Sequence, residues 1–307
     1  MSEVTRSASP MGPAVTAGVL IEALPYIQRF AGSTVVVKYG GNALSGTEHA
    51  DPLDVFAQDI VMLRAVGIRP VVVHGGGPQI NAMLERLGVK SEFRDGRRVT
   101  DEATMQVVRM VLTGEVNPQL VSAITTRGGR AVGLSGADDG MISVKQRDAQ
   151  LGYVGDVTSV RTTVIEQLLD EGCIPVIATI GVDESGQAYN INADSVAAAV
   201  AGALGAEKLL YLTDIEGLRR DVKDAASLIS ALSATELAEL LADGTIAGGM
   251  IPKAESCLEA IALGVPNVHI LDGRVAHVTI IELFTDAGIG TMVSAGATSR
   301  PHRPKAS

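Results

Sequence analysis

Lysine and glycine residues stand where the sequence predicts a buried strand to end. Thr34–Asn42 runs from β-branched residues into Lys38 and then into Gly40-Gly41. Glycine lets the main chain approach a ligand, and backbone N–H groups beside an ammonium group suit a phosphate. A strand with one solvated lysine and a turn is the alternative interpretation. This stretch is therefore a candidate anion site.

A second apolar run, ending in His74, leads into Gly75-Gly76-Gly77 and then into a predicted helix at Pro78. Free N–H groups at the positive end of a helix form a cradle for an anion. A tight turn is the alternative, but a turn rarely needs three glycines. The spacing is not that of a dinucleotide-binding fingerprint, and the chain contains no P-loop motif. No Ser/His/Asp order, zinc-protease pattern or Cys cluster stands out either.

Two further residues favour phosphoryl transfer. Lys253 and Asp194 each stand at the entrance of a predicted helix, where capping is the usual role of an Asp. If Lys38 and Lys253 face each other, a central carboxylate would orient both. Phosphoryl transfer demands alignment and charge neutralisation rather than covalent chemistry. Arg98, in a predicted hairpin, either clamps a carboxylate with two prongs or is a solvated charge.

Predicted strands and helices alternate along the chain. This alternation indicates an α/β fold with a doubly wound, mostly parallel central sheet sandwiched by helices, and with side hairpins. An amphipathic helix, broken or bent at Pro25, precedes the first strand. We expect an arm and helix over residues 1–30, a lobe over 31–180 and a second lobe over 181–307. Open α/β sheets bind ligands at the carboxyl ends of their strands, where the candidate residues stand.

Composition restricts the class of protein. The 307 residues carry a formal net charge of −10, which argues against nucleic acid as a main partner. No apolar run has membrane length, and the first residues do not form a secretory signal. Cys173 and Cys257 lie far apart among apolar residues, which favours free thiols in a reducing cytoplasm. We therefore expect a cytoplasmic protein that binds small anions.

Six stretches of the chain, in this order and spacing, resemble those of the N-acetyl-L-glutamate kinases, a branch of the amino acid kinase family. They are Lys38–Asn42, His74–Gln79, Gly96–Thr100, Tyr189–Asp194, Leu212–Gly217 and Gly249–Lys253. The resemblance covers nearly the whole chain and implies the amino acid kinase fold. It implies transfer of the ATP γ-phosphate to the side-chain carboxylate of N-acetyl-L-glutamate, a step of arginine biosynthesis.

The resemblance also implies roles for particular residues. Lys38 and Lys253 would stabilise the transferring phosphoryl group, and Asp194 would orient the lysines. The acetylated amino acid would be held by Gly76, Gly77, Arg98 and Asn190. ATP would lie near Gly40, Gly41, Thr213, Asp214, Gly217 and Met250. Mg²⁺ would be carried by the phosphates and water, with no direct protein ligand.

The residues agree with this chemistry, because a carboxylate acceptor is already deprotonated at neutral pH and needs no general base. His74 would then be structural or would support residues that contact the ligand. The stretch Ser135–Gly140 departs from the family, since it is more acidic than the lysine-containing version of many members. The resemblance therefore does not imply the detailed contacts of this stretch, whereas the catalytic positions are unaffected.

A second resemblance concerns regulation. The helix Leu20–Phe30 and the stretch His277–Gly290 resemble the arginine-inhibited branch of these kinases. That branch implies a ring-shaped hexamer built from dimers, which interlaced N-terminal helices join, with arginine bound beside the helix. The implied effector contacts are Tyr26, Lys208, His269, Glu282 and Gly288.

Two alternatives remain open at this point. One is another member of the family, acting on glutamate, aspartate, carbamate or uridylate. The other is a non-catalytic arginine-sensing protein on the same fold, although the presence of Lys38, Lys253 and Asp194 argues against it.

Overall fold

The computed structural model describes residues 12–40, 51–94, 97–221, 223–285 and 288–296. Its centre is an eight-stranded sheet in the order β12-β14-β13-β11-β1-β2-β8-β5. The strands are β1 (Thr34–Tyr39), β2 (Arg69–His74), β3 (Phe93–Arg94), β4 (Arg97–Arg98), β5 (Ala131–Ser135), β6 (Ile142–Gln146), β7 (Gly155–Val160), β8 (Ile174–Ala178), β9 (Ile180–Val182), β10 (Ala188–Asn190), β11 (Lys208–Thr213), β12 (Ala231–Ser233), β13 (Asn267–Asp272) and β14 (Thr291–Ser294). Neighbouring strands of the large sheet run parallel except β13 and β14, which confirms the predicted fold class.

Helices cover both faces of this sheet. They are α1 (Pro13–Phe30), α2 (Pro52–Ala65), α3 (Gly77–Arg86), α4 (Glu102–Val111), α5 (Asn117–Thr126), α6 (Thr163–Asp170), α7 (Ala193–Ala203), α8 (Ala234–Ala242), α9 (Ile251–Ala262) and α10 (Val278–Phe284). A π-helical turn over Leu112–Val116 joins α4 to α5 without a break. Such turns shift the register of a helix and occur frequently at functional sites.

The two faces explain why the central strands are apolar throughout. In β1, Val36 packs into a core with α6, α7, α8 and α9, whereas Val35 and Val37 pack into a second core with α2 to α5 and α10. Successive side chains of a strand point to opposite faces, so a strand covered on both sides needs apolar residues at every position. Full burial of one such valine stabilises the fold by about 1.5–3 kcal/mol.

Two smaller sheets carry the predicted hairpins. β3 and β4 pair antiparallel, with Phe93 opposite Arg98, around residues 95 and 96, which lie outside the described ranges. β6 and β7 pair antiparallel within a sheet of order β10-β9-β6-β7. At the N-terminus, α1 continues through Pro25 without interruption, so the predicted break at this proline does not occur.

Over the described ranges, none of the helices is both long enough and apolar enough to cross a membrane. Cys173 and Cys257 are both buried and free, as expected.

Candidate functional site

Lys38 lies near the carboxyl end of β1, between β2 and β11. Its neighbours across the sheet are Val73 and Tyr211. Only 8% of Lys38 is exposed, so this lysine is not a solvated strand end. A buried ammonium group needs a partner of opposite charge, because leaving water is costly for an ion.

Asp194, in the first turn of α7, is that partner. Its carboxylate Oδ1 lies 2.8 Å from Lys38 Nζ. The helix is capped by Asn192, whose side chain accepts from the Asp194 N–H at 2.8 Å. The interpretation of Asp194 as a cap is therefore wrong, because Asn192 caps the helix and leaves the Asp194 carboxylate to the lysine.

Lys253 lies in the first turn of α9 and acts on the same carboxylate. Burial raises the pKa of Asp194, but the positive charges of Lys38 and Lys253 outweigh burial and hold that pKa below its ordinary value. The structure thus pairs Asp194 with Lys38, and the charge of Lys253 acts with that of Lys38 to favour an ionised carboxylate.

Tyr211 joins the two helices that carry Asp194 and Lys253. Its buried hydroxyl lies 3.1 Å from the Asp194 carbonyl oxygen and 3.3 Å from that of Ser256, and it donates to these acceptors. Burial raises the pKa of Tyr211 well above its ordinary value, so the hydroxyl remains a donor. No pattern in the sequence indicates this role, since Tyr211 stands within an ordinary buried strand.

A cavity of about 250 Å³ opens beside Lys38. The four predicted substrate residues, Gly76, Gly77, Arg98 and Asn190, all line it together with Lys38. They come from the loop between β2 and α3, from β4 and from β10. The cavity thus combines an ammonium group, a guanidinium group and an amide with the start of a helix.

Arg98 is buried, with 7% of the residue exposed, so it is not the solvated hairpin charge of the alternative interpretation. Its guanidinium donates to Ser91 Oγ and, at 3.4 Å, to the Gly77 carbonyl oxygen. The guanidinium carbon lies 4.7 Å from the centre of the Phe93 ring. Burial lowers the pKa of Arg98, but an arginine stays charged at neutral pH.

Asn190 is linked to the Arg98 hairpin through Thr100. The Asn190 amide Nδ2 donates to Thr100 Oγ1 at 3.3 Å, and Thr100 Oγ1 donates to the Arg98 carbonyl oxygen at 3.0 Å. Thr100 is fully buried, so this chain of bonds is shielded from water. It holds two sides of the cavity at a fixed separation.

The predicted nucleotide residues that the structure describes stand at or after the carboxyl ends of β1 and β11 and directly before α9. Gly40 abuts the loop after β2, because a Cβ on it would lie 3.3 Å from Gly75 N. Gly217 has φ +151°, and a Cβ there would lie 2.5 Å from Thr291 Oγ1, so only glycine fits. Thr213 is the last residue of β11, Asp214 follows it, and Met250 precedes α9. The lining of the 250 Å³ cavity does not include Gly217, Thr213, Asp214 or Met250. Gly41 falls outside the described residues.

Three of the predicted effector residues form a buried chain at the amino ends of the strands, opposite the Lys38 edge. His269 Nε2 lies 2.8 Å from Lys208 Nζ, and His269 Nδ1 lies 2.8 Å from Glu282 Oε1. Glu282 Oε2 also accepts from Ile289 N at 3.1 Å, next to the predicted Gly288. Tyr26 is on α1, which contacts α10.

Several residues of the cavity wall were not anticipated from the sequence. Apolar Ile80, Leu112 and Val154 form one part of the wall. Arg147 and Asp156, an ion pair of 2.5 Å across the β6–β7 hairpin, form another. Charged hairpin residues look solvated in a sequence, whereas the pairing of β6 with β9 and the bridge between Val154 and Asn190 bring this hairpin to the cavity.

The acidic stretch Ser135–Gly140 does not reach this cavity. Asp138 accepts from Ser135 N at 2.8 Å and lines a separate cavity of about 510 Å³, together with Arg109 and Asn117. No group of three or more His, Cys, Asp or Glu side chains suited to a metal ion occurs in the described part of the chain.

Known proteins share these features. Residues 33–272 match the model of the amino acid kinase family. The chain is 51% identical, over 289 residues, to the acetylglutamate kinase of Heliobacterium modesticaldum, and the match covers 90% of this chain and 97% of that relative.

Two solved structures of N-acetylglutamate synthase from Neisseria gonorrhoeae are similar as well. One, complexed with coenzyme A and N-acetyl-glutamate, is 28% identical with a TM-score of 0.79, and the match covers 92% of this chain and 64% of that one. The other, complexed with coenzyme A and L-arginine, is 26% identical with a TM-score of 0.75, and the match covers 92% and 66%. The chain thus spans about two thirds of each synthase.

The family model covers most of the chain, and the relative matches at high identity over nearly its full length. The chain therefore belongs to the amino acid kinase family.

Proposed function

We propose that this protein transfers the γ-phosphoryl group of ATP to the side-chain carboxylate of N-acetyl-L-glutamate. The product is N-acetyl-L-glutamyl 5-phosphate, an intermediate of arginine biosynthesis. The observation that carries the proposal is the position of Lys38, which is paired with Asp194, on the wall of a cavity that Arg98, Asn190 and the glycine loop also line. The acetylglutamate kinase of Heliobacterium modesticaldum, half identical over its full length, supports the choice of acceptor.

The cavity suits an acetylated amino acid with two carboxylates. The buried guanidinium of Arg98 would bind the α-carboxylate, and the Asn190 amide is placed to hydrogen-bond the backbone of the ligand. Apolar Ile80, Leu112 and Val154 offer a surface for the acetyl methyl group. The side-chain carboxylate would then point toward Lys38 and the N–H groups of Gly76 and Gly77.

The reaction forms a bond between a carboxylate oxygen and the γ-phosphorus and breaks the bond from that phosphorus to the β–γ bridging oxygen, so ADP leaves. No proton needs to be removed from the acceptor, since a carboxylate is ionised at neutral pH. Lys38 and Lys253 would neutralise the charge on the transferring group. Asp194 keeps both ammonium groups in place by charge attraction.

ATP would bind over the second predicted lobe, residues 181–307, near Gly40, Gly41, Thr213, Asp214, Gly217 and Met250, with the acetylated amino acid in the lobe 31–180. Mg²⁺ would be held by the phosphates and water, since the Asp194 carboxylate is paired with Lys38. The proposed reaction places the protein in the cytoplasm, with other biosynthetic enzymes.

Arginine is proposed as a feedback inhibitor. The chain Lys208–His269–Glu282 is a buried charged site beside α1, and Glu282 offers a carboxylate to a guanidinium. The similar synthase complexed with L-arginine supports this assignment. The exposed apolar residues of α1 support a homo-oligomer, proposed as a hexamer built from dimers, that buries this helix between subunits.

Two assays on the purified protein test the function. In a thermal-shift screen, N-acetylglutamate should stabilise the protein, whereas glutamate, aspartate, carbamate and uridylate should not. Trapping of the acyl phosphate by hydroxylamine should then give a hydroxamate only with both ATP and N-acetylglutamate present. Stabilisation by glutamate or carbamate alone would select another kinase of the family, and binding without turnover would select the non-catalytic arginine sensor.

A further inference from the structure

His74 is a fully buried polar residue in the middle of the large sheet. It ends β2, between Tyr39 of β1 and Ala178 of β8, and none of its surface is exposed. Burying an imidazole is costly unless both ring nitrogens find hydrogen-bond partners. Nδ1 lies 2.9 Å from the Gly75 carbonyl oxygen, and Nε2 lies 3.0 Å from Asn117 Nδ2.

These contacts assign one tautomer to the ring. Burial lowers the pKa of His74 to about 4, so at neutral pH the ring has one donor and one acceptor. The Gly75 carbonyl can only accept, so Nδ1 carries the proton. Nε2 then accepts from the Asn117 amide, whose second N–H donates to the Val176 carbonyl oxygen at 2.8 Å.

The Nδ1–H bond fixes a peptide plane of the glycine loop. In a planar trans peptide the C=O and the following N–H point in opposite directions. With the Gly75 carbonyl held toward the imidazole, the Gly76 N–H is directed away from it, and Gly76 lines the cavity. Among the described residues, no acceptor bonds the Gly76 N–H, so this donor is left for a ligand.

The π-helical turn over Leu112–Val116 positions the residues that contact Gly76 and His74 from the other side. It presses Leu112 against Gly76, where a Cβ would lie 2.6 Å from Leu112 Cδ2, and it delivers Asn117 directly after its last residue. Space for the Asn117 amide exists because residue 133 is glycine, since a Cβ there would lie 2.0 Å from Asn117 Oδ1. The turn, the amide and the glycine loop therefore fit as one unit.

We propose that His74 and Asn117 are positioning residues that aim the Gly76 N–H at the anionic group in the cavity. The proposal rests on the kinase function above, in which this donor stabilises negative charge on the acceptor carboxylate and the transferring phosphoryl group. Asn117 sets the tautomer of His74, His74 sets the Gly75–Gly76 peptide plane, and neither side chain touches the substrate.

Two variants of His74 separate positioning from mere packing. His74→Asn retains a donor near the place of Nδ1, whereas His74→Leu removes both ring contacts. We expect His74→Leu to lower kcat by about 10²-fold, the scale of a lost or misplaced donor, with the KM for ATP within about 2-fold of wild type. His74→Asn should recover most of that loss.

Turnover is expressed per folded molecule, and Leu237→Ala is the matched control. Leu237 is fully buried on α8 and does not line the cavity, so its truncation lowers stability while leaving kcat near the wild-type value. Asn117→Ala, which leaves the imidazole but removes the partner of Nε2, gives the same comparison if His74→Leu does not fold. Wild-type kcat per folded molecule in His74→Leu, or in Asn117→Ala in that case, would overturn the proposal.

A spectroscopic test is independent of activity. In the full-length protein labelled with ¹⁵N-histidine, solid-state spectra at pH 7.5 should show His74 with Nδ1 protonated and Nε2 bare, assigned by the signals lost in His74→Asn. A ring protonated at Nε2 would refute the proposed positioning by His74 even if the protein is an active kinase. Conversely, an Nδ1-protonated ring in a protein without N-acetylglutamate kinase activity would reject the proposed function and retain the hydrogen-bond arrangement.

Discussion

Asn192 and Asp194 show how neighbouring residues divide two tasks at one helix start. Asn192 satisfies the backbone of α7, and this leaves the Asp194 carboxylate to pair with Lys38 at 2.8 Å. Removing one partner of such a pair leaves the other charge buried without compensation. The residue scale is therefore where single substitutions have their largest effects on the chemistry.

We expect Lys38→Ala and Lys253→Ala each to lower kcat by about 10²-fold or more, since each removes a charge aimed at the transferring phosphoryl group. The hydroxamate assay measures this, and Lys90→Ala is the control because Lys90 is exposed and lies outside the cavity. Near-normal turnover in both active-site variants would contradict the two-lysine mechanism.

His74 also predicts a pH dependence of stability. Its pKa falls from 6.5, the ordinary value, to about 4 in the folded protein, so between these values the unfolded chain binds a proton that the native one does not. The stability from the neutral ring is complete above pH 6.5 and is lost as the pH falls toward 4. Between pH 7.5 and 5, wild type should lose about 2 kcal/mol more than His74→Asn.

Urea unfolding of both proteins at several pH values measures this difference. Carboxylates titrate in both proteins and cancel in the comparison, so the difference reports residue 74. Parallel stability curves over that pH range would show that burial does not depress the titration of His74.

At the scale of elements, β11 connects the proposed effector site with the proposed catalytic site. Its amino end carries Lys208 of the effector chain, and its carboxyl half carries Tyr211, which ties α7 to α9. β13 and α10 complete the effector chain with His269 and Glu282. A ligand there can change catalysis only if it binds one arrangement of these elements better than another.

Glu282→Gln tests this site. The substitution preserves the shape of the side chain but removes the charge proposed to face a guanidinium, so arginine should inhibit at least about 30-fold more weakly, with kcat unchanged. Arginine inhibition curves of the wild type and of Glu282→Gln measure this difference. Glu239→Gln, a substitution at an exposed position on α8, is the control. Unchanged inhibition would place the arginine site elsewhere.

At the scale of the whole molecule, α1 is a helix whose apolar face remains exposed in a single chain. Apolar Val15, Val19, Leu20, Ile21 and Leu24 are each 40% to 68% exposed, whereas Phe30 is buried in the core. An apolar helix face of this kind is typical of a subunit contact. The carboxyl end of α1 therefore packs on the core through Phe30, and its amino-terminal part offers an apolar face to the proposed subunit contact.

Deletion of residues 1–24 should give a smaller oligomer that remains active and that arginine inhibits weakly. The cut ends before Tyr26 and Phe30, because Phe30 belongs to the core and its loss would destabilise the fold. Light scattering after gel filtration measures the size, and Leu20→Glu with Ile21→Glu makes the same test without a truncation. An assembly of unchanged size in both proteins would refute a role of α1 in oligomerisation.

The sequence by itself determined the strand–helix alternation, the glycines at strand ends and the identity of Lys38, Lys253 and Asp194, because local patterns and residue chemistry are written in order along the chain. It left the roles of Asp194, Arg98 and His74 open, and it gave no sign of Tyr211 or Asn117. Only the tertiary structure decided which of these side chains are buried and what they contact, because burial and hydrogen-bond partners depend on residues distant in sequence. Asn117 reaches His74 across 43 positions, and Asn190 reaches Thr100 across 90. No local pattern encodes such contacts, since they arise when the sheet brings separate strand ends to one edge.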